Sequence, residues 1–578
     1  MGVRWSVPSA GAWSISTLSR SRITRTPVST SAASDVKDSQ TIGESSQRSR
    51  SREEVFTELA EIYLSTGLTF RSLNKLHSPR TLNLLASVPP TAFPDESTFR
   101  RRYVQSATDI EITKIESTLR EVPFSIQMDA SCLRNGERVI SVLAKTFQRT
   151  YLVDAVFTAP DVKNTAAYQY GVLDEVLRRI GSNHFVQLCT DNCRTTLCLQ
   201  NIVRDNTNSI VQGYCISHML SMLEQKVTEA ASGASEIILI VRNSVHGHGP
   251  LSRRRYLLGE FVHNDRQMTA KEIAELQVVP TRWHSLIRSA AVILKRRSLL
   301  LAFFQSTESS AKTVERAIAY LKSPEKLADL IVVVTLLEDF EELVASSEGR
   351  QLSLSPRQRG LLQLWISELR KIAESEQPPQ LTDGVVNWIE ETASPDEMSQ
   401  RARRSVKEAA KSAIVYFDSG SRMEYMLAML HHIDFFVPRR ALRSFEVWKT
   451  ICEESTTENI LKLIGKVQFP GLFERLTSRT KAAADVKGYV GFLASLQGSS
   501  TTATQFTSPD IFWSPEGWGE KEYPYLAQLA RRFLALSPSI APTESSFSVL
   551  RGIDTQQRQN MSAALVRSQM IFRFNKTS

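Results

Sequence analysis

Three short blocks, far apart in the chain, carry acids where metal chemistry would need them. Phe124-Ser-Ile-Gln-Met-Asp129 and Val186-Gln-Leu-Cys-Thr-Asp191-Asn192 are apolar runs of strand character that end on an Asp. In Ser539-Ile-Ala-Pro-Thr-Glu544-Ser-Ser-Phe547-Ser548 a Pro-Thr pair introduces a Glu at the head of a helical stretch. Carboxylates at two strand ends and one helix start can converge on one point. Such hard oxygen donors suit Mg²⁺ or Mn²⁺, and a two-metal carboxylate site serves in-line displacement at phosphorus. Phosphodiester chemistry is the leading expectation. Each acid also has a plainer reading. Asp129 could open a turn near Asn135-Gly136, Asp191-Asn192 could cap a helix starting at Cys193, and Glu544 would meet a helix dipole without a metal.

The elements that must position these acids can be read from periodicity. Val122 to Met128, Val139 to Thr146 and Tyr151 to Phe157 are β-rich runs separated by the turn Arg134-Asn135-Gly136-Glu137 and by Gln148-Arg-Thr150, an antiparallel meander. A helix from about 165 to 180 follows, then a strand Phe185 to Thr190, a helix from Cys193 to about Asp205, a short strand Ile210 to Tyr214, and a helix Ser217 to Val227. That order is the order of a ribonuclease H-like core, a mixed α/β sheet that binds ligands at the carboxyl ends of its strands. The fold class expected is α/β plus all-α: this core, interrupted by a large helical insertion and completed by a C-terminal helical segment.

The rest of the chain divides by composition. Residues 1–52 are rich in Ser, Thr and Arg without apolar periodicity, which predicts a disordered tail; 53–120 reads as a small helical domain and 121–227 as the first part of the core. Residues 228–500 are helical in pattern throughout, and after the Ser/Thr-rich linker 498–504 a last segment, 505–578, carries Glu544 on what reads as two or three helices.

With 578 residues, 42% of them hydrophobic, the chain can bury a sizeable core, and a net charge of +9 fits an anionic partner such as DNA. No run approaches the ~18 to 20 apolar residues of a membrane span, so no membrane partner is expected. Six cysteines, clustered as they are, do not make a disulfide framework. Arg4, Arg20, Arg22 and Arg25, with no acid before Asp35, imitate a mitochondrial transit peptide, although Pro8, Gly11 and Pro27 oppose an amphipathic helix.

The three acidic blocks, in this order, resemble the hAT superfamily of DNA transposases. The final part is the most specific: Phe512-Trp513, Tyr523-Pro524-Tyr525-Leu526, Ala541-Pro-Thr-Glu544-Ser-Ser-Phe547-Ser548, Ile553, Arg558 and Met561-Ser562 look like the hAT carboxy-terminal dimerisation region. Cys189-Thr-Asp191-Asn192, Cys215-Ile-Ser-His218-Met-Leu and Thr281-Arg282-Trp283 look like the family's central blocks, so that the likeness runs from about Thr98 to Phe574. It implies cut-and-paste transposition in the nucleus, DNA as substrate, and a homo-oligomer, dimer or larger. It implies Asp129, Asp191 and Glu544 as catalytic residues and ligands of a two-metal Mg²⁺ or Mn²⁺ site, His218 near that site, and Trp283 as an insertion-domain residue beside an unpaired base. Departures from the family pattern are Asp129-Ala130-Ser131 in place of an early aromatic, Ser545 in place of an Arg after the Glu, and no zinc finger found: no Cys precedes Cys132 and no His precedes His77.

Other motifs keep two readings. Cys215 and His218 could be half of a Zn²⁺ site or a packed Cys beside a hydrogen-bonded His. Trp283 beside Arg282 could stack on a base or sit in a core, and the basic runs Arg253-Arg254-Arg255, Lys295-Arg-Arg297 and Arg401-Ala-Arg-Arg404 could contact phosphate or form solvated faces. The function expected is therefore metal-dependent DNA strand cleavage and transfer by a hAT-type transposase or a protein derived from one. The competing expectation is a catalytically inactive, dimerising scaffold that binds DNA or protein.

Overall fold

The alternation that predicts the meander is realised in the computed structural model. β1 (Phe124–Cys132) pairs antiparallel with β2 (Arg138–Lys145), which pairs antiparallel with β3 (Thr150–Thr158). On its other side β1 pairs parallel with β4 (Phe185–Thr190), and β4 pairs parallel with β5 (Val211–Tyr214). The resulting five-stranded sheet has the order β3-β2-β1-β4-β5. Every position of β4 is buried, as a strand flanked by two parallel neighbours and covered on both faces requires.

The structure describes residues 51–577 with the exception of 67–83, 85–92, 134–135, 208–209, 247–257, 262–267, 277–284, 307–311, 338–339, 341–342, 344–355, parts of 378–394, 419–421, 444–455 apart from 449 and 452, 475, 497–507 and 554–560. The expected tail up to residue 50 and the linker 498–504 lie outside the described residues.

The helices around the sheet are set by sequence cues. α1 (Arg52–Thr66) and α2 (Gln105–Glu121), the latter entered through a π-helical turn Phe99–Val104, precede the first strand. α3 (Ala166–Ile180) is capped by Thr165, whose hydroxyl accepts from the Tyr168 N–H. α4 (Arg194–Asn206), α5 (Ile216–Ala230) and α6 (Ser232–His246) follow. The long helical part includes α7 (Pro395–Asp418) and α8 (Arg422–Phe435). The last segment is more broken than its sequence pattern suggests. Besides two short helices, Pro509–Phe512 and Trp518–Glu522, it contains α9 (Pro524–Ala535), α10 (Ala541–Ile553) and α11 (Ala563–Thr577). Prolines at 509 and 524 account for two of the restarts, since Pro is tolerated only in the first turn of a helix.

Two different layers cover the sheet. On one face Ile126, Met128, Ile140 and Val142 pack with Leu173 and Val176 of α3 and Leu199 and Val203 of α4. On the other, Val139, Leu143, Leu152 and Ala155 pack with Phe547 and Leu550 of α10 and with Met570, Ile571 and Phe574 of α11. The C-terminal helices are thus one wall of the core. α1 joins them through Phe56, Leu59 and Tyr63, clustered with Leu565 and Phe572. By its contacts the chain from Arg52 to Ser578 is a single unit, an α/β core carrying a large helical part, as its residue patterns predict.

Candidate metal centre

Asp129 is not at a strand end, as its sequence setting suggests. β1 runs on to Cys132, because its antiparallel partner β2 continues to pair with it; Asp129 stands opposite Ser141 and Cys132 opposite Arg138. The strand end that matters belongs to the other neighbour. Parallel pairing of β1 with β4 stops at Met128 opposite Thr190, so Asp129 and Asp191 each follow the last paired residue of adjacent parallel strands. Residues in parallel register point to the same face of a sheet, and here that face carries both acids.

Glu544 reaches this edge from the first turn of α10. The residue before it makes the link: Thr543 Oγ1 donates to Asp129 Oδ2 at 3.3 Å across 414 residues of sequence. Asp129 Oδ1 also accepts from the Ala130 N–H at 2.8 Å. Burial, the charge of Asp191 and, more weakly, the charge of Glu544 push the Asp129 pKa up to about 7, against the opposing hydrogen bonds from Ala130 and Thr543. Burial raises the Glu544 pKa as well, and the Arg551 cation, about two helical turns further on, opposes that rise.

Asp191 is held on its other side. Thr196 Oγ1 donates to Asp191 Oδ1 at 2.5 Å, and the Cys193 N–H lies 3.3 Å from the same oxygen. The capping position of α4 belongs to Cys193, which makes no side-chain capping bond, so Asp191 is not the N-cap considered from sequence. Asn192 turns away and donates from Nδ2 to the Cys215 carbonyl at 3.1 Å.

The Cys-x-x-His motif is a helix start. Cys215 caps α5, its Sγ accepting from the His218 N–H at 3.4 Å. The same sulfur accepts from the Ile540 N–H at 3.4 Å, and Cys189, Cys215 and Ile540 form a small buried cluster. Burial raises the Cys215 thiol pKa. These contacts make Cys215 a packing and capping residue that ties α5 to the C-terminal segment. His218 is half-buried; burial lowers its pKa, and the charge of Asp191 pulls the other way.

Asp129, Asp191, Glu544 and His218 therefore belong to one electrostatic neighbourhood. Among the described residues, though, no group of three or more His, Cys, Asp and Glu side chains is gathered closely enough to hold a metal ion in this arrangement. In kind the donors suit a hard divalent cation: they are carboxylate oxygens, and repulsion between them is what such an ion would relieve.

The residues expected to meet DNA are divided. Trp283, Arg282, Arg253, Arg254 and Arg255 lie outside the described residues. The other two basic runs are engaged within the protein: Lys295 and Arg296 pair with Glu272, Arg297 donates to the Leu321 carbonyl, Arg401 pairs with Glu325 and Arg403 donates to the Pro379 carbonyl. Thr543, Thr196 and Arg551 escape sequence reasoning, because a hydroxyl or a guanidinium beside an acid leaves no local signature.

No described helix is long and apolar enough to cross a membrane. A comparison with characterised proteins found no match. Residues 94–243 match a domain of unknown function, DUF659, a stretch that contains the whole sheet with Asp129, Asp191, Cys215 and His218 and stops short of Glu544. That domain is associated with hAT-type transposase-like proteins and is consistent with a transposase-like origin of this chain.

Proposed function

We propose that this protein is a hAT-type transposase or a descendant of one, and that Asp129, Asp191 and Glu544 act together to cleave and transfer DNA strands with Mg²⁺ or Mn²⁺. The observation that carries the reading is the shared field at Asp129. An acid buried beside two other acids drawn from distant parts of the chain is costly unless something uses it, and strongly perturbed carboxyls cluster at functional sites. A divalent cation bound there would activate water and stabilise the leaving oxygen.

The chain's own residues supply the rest. Thr543 and Thr196 orient Asp129 and Asp191 through their hydroxyls; both supports of Asp191 meet the same oxygen, Oδ1, whereas Asp129 is held at Oδ2 by Thr543 and at Oδ1 by the Ala130 N–H. Burial lowers the His218 pKa, which favours its neutral imidazole, and the charge of Asp191 opposes that fall, so His218 is the proton-handling candidate beside Asp191. Closure of the three acids onto a cation would release the Asp129 proton. In this proposal DNA enters the nucleus-located reaction as substrate and the protein works as a dimer or larger assembly.

A second reading, a non-catalytic scaffold that binds DNA or protein, draws on one observation: the acids are coupled without forming a tight three-ligand group. Calorimetric titration with Mn²⁺ separates the two. The catalytic reading expects saturable binding weakened by Asp129→Asn, Asp191→Asn and Glu544→Gln alike. Indifference of Mn²⁺ binding to all three changes would favour the scaffold.

A further inference from the structure

Polar residues recur on the face that bears the acids: Ser125, Gln127 and Asp129 on β1, and Gln187 on β4 with Asp191 just beyond that strand's end. Strands this deeply buried ordinarily carry apolar side chains on both faces. Here Ser125, Gln127 and Gln187 are fully buried, and each needs a partner to offset desolvation.

The partner is the non-helical stretch between α9 and α10, which bends at Pro538 and lies over β1 and β4. Every residue of 535–540 is held. The Ala535 carbonyl accepts from Ser125 Oγ at 2.7 Å, and the Leu536 carbonyl accepts from Lys145 Nζ. The Ser537 N–H donates to Gln187 Oε1 at 2.5 Å, while Ser537 Oγ accepts from Gln127 Nε2 at 2.5 Å. The Pro538 carbonyl accepts from the Ile216 N–H at 2.9 Å, Ser539 Oγ pairs with Ser217 Oγ at 2.9 Å, and the Ile540 N–H meets Cys215 Sγ. Ser537 is the centre of this lacing, gripped by backbone and hydroxyl from two adjacent strands and itself 1% exposed. Gln187 can lie there because residue 213 is Gly: a Cβ at that position would come within 2.6 Å of Gln187 Nε2.

A segment held only by side-chain and scattered backbone contacts over a sheet face has more than one seat open to it unless specific bonds choose between them. A buried polar network restricts that freedom, since a shift would break the bonds that Gln127 Nε2 and Gln187 Oε1 make with Ser537, while Gln127 Oε1 is buried without a partner already. We propose that Gln127, Gln187 and Ser537 form a register pin, positioning residues that select one seat for the C-terminal segment and thereby bring Thr543 and Glu544 to the Asp129–Asp191 edge. The proposal rests on the reading of the three acids as one metal site. It adds that Glu544 is delivered by the protein before any cation arrives.

Two measurements on the full chain test it. The first needs no metal: hydrogen exchange read by mass spectrometry in Ser537→Ala and Gln187→Leu. Faster exchange across 535–547, with β1 and β4 still protected, is the expected result; unchanged protection in Ser537→Ala would overturn the pin. The second is Mn²⁺ affinity in a double-mutant cycle of Ser537→Ala with Glu544→Gln. Loss of a residue that orients a ligand weakens metal binding by ~10-fold or more, so Ser537→Ala should weaken Mn²⁺ by about that factor, Ser537→Thr should restore it, and Ser537→Ala should cost nothing further once Glu544 is Gln. Additive losses would show that Ser537 does not act through Glu544 and would overturn its positioning role. Absence of Mn²⁺ binding in the unaltered protein would count against the metal reading instead, and the exchange experiment would still decide the pin.

Discussion

Asp129 and Asp191 occupy equivalent places on neighbouring parallel strands, each immediately after the last paired residues Met128 and Thr190. Two ionised carboxylates on one face of adjacent strands repel, and burial adds to the cost, so the Asp129 proton is retained up to about pH 7.

Retention of that proton has a signed consequence for stability. The folded pKa of Asp129 lies above its unfolded value of 3.8, so the folded state binds more protons between the two, and this group's contribution falls as pH rises from about 4 to about 7. Asp129→Asn removes the penalty. Without metal, its stabilisation should be on the order of 1–3 kcal/mol at pH 8 and close to nothing at pH 4, the figure being reduced from the full shift by partial solvent access. Urea unfolding at the two pH values measures it, and an equal effect at both would show that the carboxyl is not perturbed.

Lys145 gives the opposite slope. Burial lowers its pKa to about 7 while its Nζ donates to the Leu536 carbonyl. The unfolded chain, with the ordinary lysine value of 10.5, binds the extra proton between the two, so this group's contribution to stability rises as pH increases from about 7 to about 10. Lys145→Met should therefore stabilise more at pH 7 than at pH 10. A stability difference independent of pH would show the ammonium to be hydrated.

Gly213 should tolerate no side chain. The added Cβ of Gly213→Ala would meet Gln187 Nε2 at 2.6 Å and Cys189 Cβ at 2.9 Å, and overpacking of this kind costs ~1–3 kcal/mol. Chemical denaturation should show that loss. A neutral substitution would mean that Gln187 can leave its place without consequence.

Thiol chemistry reports the seating of the C-terminal segment. Cys132, Cys193 and Cys198 are exposed, whereas Cys189 and Cys215 are buried, the latter under Ile540. The exposed thiols should react quickly with an aromatic disulfide reagent and Cys189 and Cys215 only with unfolding. In a chain ending at Ser508 both should react promptly, because the covering segment is gone; continued protection would mean that the sheet closes without it.

Much of this arrangement is legible from the residues alone. The strands fall within a few positions of their periodicity, and Phe185–Thr190 falls on its predicted bounds. The placement of Asp129 at a strand end fails because a strand's end depends on its partner: β2 extends β1 to Cys132 while β4 stops at Thr190. The supports of the acids, Thr543 and Thr196, are invisible to local patterns, since one contact spans 414 residues and the other is an ordinary hydroxyl in a first helical turn. Gln127 and Gln187 did leave a trace. Each shares strand parity with the acid ahead of it, and a polar residue repeated at period two in an otherwise buried strand marks a face that covers something polar.

The central claim is that three acids make a strand-cleaving site, and divalent-cation-dependent nicking of end-labelled duplex DNA by the purified full chain tests it most directly. The account expects nicks with Mg²⁺ or Mn²⁺, no nicks in chelator, and loss of nearly all activity in Asp191→Asn, which removes a ligand charge while keeping side-chain shape. Equal nicking by the unaltered protein and Asp191→Asn, or none by either when both are folded and bind DNA, would contradict it.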